Sequence, residues 1–286
     1  MGLDLKLAGF NRDSTVAYYL AKAGIKRATA VIQNEDHKAD YLAESWSRND
    51  EATKPLFKDI KISDIGTFTV SYPFSDNRLF YGIQDEDRRV NINSAPKEVI
   101  GRLIAYLYPA STNSEEVALN IVNWRTSGLT IPDDYLQEGY SRKGAAFDSV
   151  DEVLLVKGMD QQLFNAIKDY ITVYPIDGNS KINVNTAPLP VLVAMGFNES
   201  DADKIVSGRP GPDDEEERQP FDPVSFPKYL SDNDINSSGI NSSFVSYGSQ
   251  YFRIISTGSS LNGRANKKIT CVVSAPAGET VFWSEE

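Results

Sequence analysis

The sequence predicts an α+β protein: a long amphipathic helix and an antiparallel sheet, interrupted by a large all-α insertion. Three observations carry this. Apolar and small residues recur at helical spacing near the start, β-type runs lie far apart near the two ends, and the stretch between them is almost wholly helical in period. The implied division is 1–86 for the helix and first strands, 87–232 for the insertion and 233–286 for the closing strands. Such a topology brings the ends of the insertion together, as insertion into a loop requires.

The first element runs from about Ser14 to Glu35. Ala17, Leu20, Ala21, Gly24, Ala28 and Val31 fall on one stripe, with Lys22, Lys26 and Arg27 off it. A face this rich in small residues permits close approach by a partner helix or by the chain's own sheet, so the stripe is a candidate interface. Farther on, Thr67 to Tyr72 and Leu79 to Ile83 read as a hairpin around Pro73 and Ser75 to Asn77. At the other end, Tyr251 to Ser256 and Lys268 to Val273 read as strands separated by Gly258 and the Asn262-Gly263 turn signal.

The insertion contains an internal repeat. Asn91-Ile92-Asn93-Ser94-Ala95-Pro96 precedes a helix from Glu98 to Tyr106, and Asn183-Val184-Asn185-Thr186-Ala187-Pro188 precedes one from Val191 to Ala194. Each copy closes on a related segment, Asn120 to Arg125 and Lys204 to Arg209. Ser94 and Thr186 suit a helix N-cap, Pro96 and Pro188 suit a first turn, and the alternating asparagines suit bonds to the backbone of neighbouring turns. Between the copies, Phe147 to Leu155, Lys157-Gly158-Met159 and Gln161 to Tyr170 supply a third helical pair.

Composition narrows the function. Hydrophobic residues at 41% and charged residues at 24% describe a folded globular chain. No run approaches the eighteen or so apolar residues of a membrane helix. A net charge of −11 opposes nucleic acid. The repeat also resembles helix-hairpin-helix DNA-binding modules, but their G-x-G turn is replaced by Gly158-Met159-Asp160 and Gly196-Phe197-Asn198, and Asp160 would meet a phosphate with negative charge. His37, the one histidine, lies among Glu35, Asp36, Lys38 and Asp40 and reads as a solvated helix end, and no catalytic motif accompanies it. Cys271, the one cysteine, excludes an internal disulfide and sits in strand-like sequence as a buried thiol. Asp232, Asp234 and Asn236 alternate oxygen ligands as a calcium loop does, although Ser237 and Ser243 replace the expected glycine and glutamate. The run Asp213 to Glu217 reads as a solvated acidic loop that would also suit calcium.

The order of these segments resembles the K family of type II secretion minor pseudopilins. The resemblance rests on Asn183 to Pro188, Phe147 to Leu154, Val156 to Met159 and Ser249-Gln250-Tyr251-Phe252, with Ala17 to Gly24 and Glu44 to Arg48 before them. It implies a pilin-like helix and sheet with an inserted α-domain, and a binding and assembly role in place of enzymatic chemistry. It further implies minor pseudopilins I and J as partners at the periplasmic tip of the pseudopilus, the exported protein as a further partner, and an inner-membrane anchor that this sequence does not show. A secreted helical-repeat binding protein is the bland alternative, favoured if no sheet joins the first strands to the last.

Overall fold

The computed structural model describes residues 2–48, 55–74, 78–110, 113–130, 135–136, 139–176, 178, 181–212, 218–261, 263–275 and 277–286, with side chains from residue 6 onward. The turn at Ser75 to Asn77, the acidic run Asp213 to Glu217 and Asn262 lie outside the described residues. The chain forms two compact units, one of residues 1–86, 210–217 and 248–286, the other of 87–209 and 218–247.

The first unit begins with α1 (Gly2–Gln33), followed by β1 (Ile60–Ile62), β2 (Gly66–Val70), β3 (Tyr72–Pro73), β4 (Leu79–Phe80) and β5 (Gln84–Asp85). The second contains β6 (Val90–Asn91), α2 (Lys97–Leu107), α3 (Ser114–Arg125), α4 (Gln161–Ile167), β7 (Ile171–Thr172), β8 (Ile182–Asn183), α5 (Leu189–Met195), α6 (Glu199–Gly208), α7 (Ser225–Asp232) and β9 (Val245–Ser246). The chain then returns to the first unit through β10 (Tyr251–Ser260), β11 (Asn266–Ser274) and β12 (Glu279–Glu285).

The sheet of the first unit runs β1-β2-β10-β11-β12, antiparallel throughout, and β5 pairs with the start of β10. Val70 lies opposite Ser256 and Phe68 opposite Gly258, so the first strands and the last do join. At the β5 end, the buried carboxylate of Glu86 takes both Nε and Nη2 of Arg253 at 2.7 and 2.6 Å. This bidentate geometry satisfies a charge that would otherwise be costly to bury. The expected hairpin is divided: Thr67 to Val70 pair with β1 and β10, and only Tyr72-Pro73 pairs with Leu79-Phe80. Gly258 lies inside β10, not between strands, and β12 is a strand beyond those expected.

Helix α1 lies on one face of this sheet. Leu20, Ala21, Ile25, Ala28 and Ile32 bury themselves against Phe68, Val70, Phe252, Ile254, Ile269, Cys271 and Val273. Each large aliphatic side chain buried in this way contributes about 1.5–3 kcal/mol. The stripe expected as an interface is therefore this core. Ala17, Leu20, Ala21, Gly24 and Ala28 are buried, and Val31 packs half-buried beside them. The physical reason is visible in two glycines. A Cβ on Gly258 would overlap the Ala17 carbonyl and the Ala21 amide, and one on Gly24 would overlap the Ser256 hydroxyl, so helix and strand approach closely only because both lack one. Cys271 is fully buried here, and burial pushes its thiol up to about 12.

The unit boundaries meet the sequence division at Glu86 but not at residue 232. Residues 233–247 remain with the helical unit because Val245-Ser246 pairs in parallel with Ile182-Asn183. Residues 210–212 return to the first unit, where Arg48 donates to the Pro212 carbonyl at 2.9 Å. No helix among the described residues is long and apolar enough to cross a membrane.

Candidate functional site

The duplicated motif of the helical unit is built the same way twice. Asn91 folds back on its own strand end by accepting from the Asn93 amide at 2.7 Å, and Asn183 accepts from the Asn185 amide at 2.9 Å. The next asparagine then reaches across the unit. Asn93 accepts from the Phe147 amide and donates to the Phe147 and Val173 carbonyls. Asn185 does the same with Phe221 and Tyr247. Only an amide side chain supplies acceptor and donors together in this geometry.

An arginine closes each copy. Arg125 donates to the carbonyls of Ile92 and Ala95, and Arg209 to those of Val184 and Ala187. Arg209 is buried with no carboxylate among its hydrogen-bond acceptors in the described residues, and burial, with Arg88 nearby, pushes its pKa down to about 9. Arg125 is shifted down by burial as well. The pairing also shows that the repeat extends beyond the helix pair. Phe147-Asp148-Ser149-Val150 and Phe221-Asp222-Pro223-Val224 occupy equivalent places, and β7 pairs with β6 as β9 pairs with β8.

The capping expectation is corrected. Pro96 and Pro188 themselves stand at the N-caps, and neither helix start has a side-chain cap. Thr186 instead donates to the Asn183 carbonyl at 3.4 Å, tightening the turn before the helix. Ser94 and Pro96 line a cavity of about 280 Å³ together with Arg102, Met195, Ile240 and Phe244. Side-chain caps are found elsewhere in the unit, among them Asp160, which accepts from the Leu163 amide, and Asn198, which accepts from the Asp201 amide. Asp160 thus holds its carboxylate at the hairpin turn where a DNA phosphate would need positive partners, which removes support from the DNA-binding reading.

Asp232, Asp234 and Asn236 are all exposed, around the end of α7. The Asn236 side-chain oxygen already accepts from the amide and hydroxyl of Ser238, at 3.0 and 2.8 Å. Among the described residues no group of three or more His, Cys, Asp or Glu converges as a metal site.

His37 is no solvated helix end. Its Nδ1 lies 2.8 Å from Asp40 and its Nε2 2.8 Å from the Ile32 carbonyl, while Asp40 also accepts from the Ser249 amide. Burial disfavours the imidazolium, but the Asp40 hydrogen bond and charge, with the Ile32 carbonyl and Glu44, outweigh it and raise the pKa. Burial pushes the nearby Glu44 carboxyl up to about 7, against the lowering effect of the Tyr41 and Trp46 N–H donors. Both groups therefore hold protons more tightly when folded. Their stabilisation is complete below the unfolded pKa and is lost as pH rises through the folded one. Unfolding free energy should fall by about 1–2 kcal/mol between pH 5 and pH 8, discounted for the partial exposure of Glu44. Urea titrations across that range should show the slope, and Glu44→Gln should flatten it.

Surface residues suited to contacts lie off the sequence stripe. Leu7, Phe10 and Tyr19 are exposed along α1, and Val281 and Trp283 along β12. Their signal in the sequence was weak, because an isolated aromatic beside charged residues reads as ordinary surface.

Comparison with known proteins adds two findings. The family model described as type II secretion system (T2SS), protein K, matches residues 182–224, the segment from β8 through Arg209 to the second Phe-Asp-x-Val. The fold matches a chain in the crystal structure of the GspK-GspI-GspJ complex from the enterotoxigenic Escherichia coli Type 2 Secretion System. The TM-score is 0.66 at 14% identity, covering 100% of this chain and 99% of that one. No curated protein sequence matches significantly. The family-model match lies within the second repeat, and the likeness over the whole length is one of fold.

Proposed function

We propose that this protein is a minor pseudopilin of the type II secretion pseudopilus that assembles with the I- and J-type minor pseudopilins at the periplasmic tip of the fibre. The observation that carries the reading is the whole-length fold likeness to a member of a complex with those two partners. The architecture supports it. A small-residue helix is fixed on an antiparallel sheet, and a helical unit interrupts the chain between β5 and β10, where it serves as a bulky cap on further addition. The role is binding and not catalysis. The polar groups of the duplicated motif bond backbone carbonyls and amides, which gives rigidity.

The test is light scattering after size-exclusion chromatography, with this chain mixed with soluble I- and J-type pseudopilins of the same organism. A defined heterotrimer is expected, and a chain that elutes alone at micromolar concentration sinks the reading. Running the mixture in calcium and again in chelator also tests calcium support of the loop at Asp232, Asp234 and Asn236. That part of the proposal requires a higher melting temperature in calcium.

A further inference from the structure

We infer that the open edge of β12 is a docking strand for a partner pseudopilin. It takes up a short extended segment in which an apolar residue lies opposite Trp283 and a basic residue opposite Glu285. This rests on the assembly reading above.

Strand β12 ends the sheet order, and no described strand pairs with its outer side. The direction of its free groups follows from the ladder. Lys268 and Glu286 exchange both backbone hydrogen bonds, at 3.1 and 2.9 Å. Because inward and outward groups alternate along an antiparallel strand, Glu286, Ser284 and Phe282 face β11. The amides and carbonyls of Glu285 and Trp283 therefore point away from the sheet, available to another strand.

The side chains of the same two residues fall on the α1 face. Glu285 accepts from the Tyr18 hydroxyl at 3.1 Å and from the Trp283 indole N–H at 2.7 Å. Trp283 is 38% exposed and Val281 37%, whereas Trp46 and Trp124 are buried. An apolar ledge thus runs along an unpaired edge. Glu279 to Glu286 contain no lysine, arginine or proline, and the charges they carry are all negative. A bulge leaves Val281 without a partner on β11, which confines pairing to the last residues and makes the docked segment short.

Charge selects the occupant. A second copy paired antiparallel about Phe282 would set Glu279 against Glu285 at both ends, on chains that each carry −11. Self-pairing is disfavoured by that arrangement, and a segment with lysine or arginine beside an apolar residue is favoured.

The test uses the complex with soluble I- and J-type pseudopilins. Trp283 is the one exposed tryptophan of three, so acrylamide quenching of tryptophan emission reports its cover. Quenching should fall on complex formation, and Trp283→Pro should weaken binding about tenfold or more. Proline is tolerated there because the N–H it removes points outward, and the variant's own circular dichroism and melting check that it folds. A complex whose Trp283 is quenched as freely as in the free chain overturns the docking strand while leaving the assembly reading intact. So does unchanged binding by a folded Trp283→Pro variant. Failure of the wild-type chain to form any complex overturns both.

Discussion

Arg209→Ala should destabilise the helical unit by about 3–4 kcal/mol, a loss read as a fall in the urea midpoint of that unit's hydrogen-exchange protection. The guanidinium is buried and holds the Val184 and Ala187 carbonyls, with no carboxylate among its partners in the described residues. Removing it leaves two carbonyl oxygens without their donors in a site closed to water, and each such group costs about 1–3 kcal/mol. Loss of the buried cation returns part of that sum, which sets the estimate below the simple total. Arg209→Lys should recover little. One ammonium cannot reach both carbonyls as a planar fork does. The equivalent Arg125→Ala should cost less, because Arg125 is half-buried and water can replace part of what it gives. Equal losses at the two positions would mean that burial does not set the difference.

The same arginines show what was legible in the sequence and what was not. The paired N-x-N-x-A-P segments and the pair Arg125 and Arg209 stand out because local turn chemistry fixes their spacing. The partners of the second asparagines do not, since Asn93 bonds Phe147 and Asn185 bonds Phe221 across connections of different length. The Phe-Asp-x-Val duplication was therefore hidden by insertion. The seam placed at residue 232 failed for a similar reason. Residues 233–247 have no apolar period, and two strand residues with the Tyr247 carbonyl tie them back to the motif. On α1 the period correctly identified the buried face, but periodicity says that a face is covered and not by what. His37 was misread because sequence neighbours suggested solvent, whereas Ile32 and Asp40 bend the chain around the ring.

Gly258→Ala is the substitution expected to separate helix from sheet. Its new methyl group would fall on the Ala17 carbonyl and the Ala21 amide, and both are backbone atoms of a continuous helix that cannot rotate aside as a side chain would. Relief requires α1 to move off β10, loosening Leu20, Ala21 and their neighbours together, at a cost of about 3 kcal/mol or more. Gly24→Ala provides the discriminating comparison. There the sharpest overlap is with the Ser256 hydroxyl, a buried group that has no hydrogen-bond partner among the described residues, and a lesser one is with the Phe68 ring, a side chain that can shift. Ser256→Ala should therefore stabilise the protein slightly by itself, by about 1 kcal/mol, and should recover much of the loss caused by Gly24→Ala. No substitution on β10 should rescue Gly258→Ala in this way. If the two glycine variants lose similar stability and both are rescued by Ser256→Ala, close backbone contact is not what fixes the helix to the sheet. If they separate as expected, the Gly258→Ala chain should also lose its heterotrimer, because a helix that no longer sits on its sheet cannot present the α1 and β12 side chains as one surface.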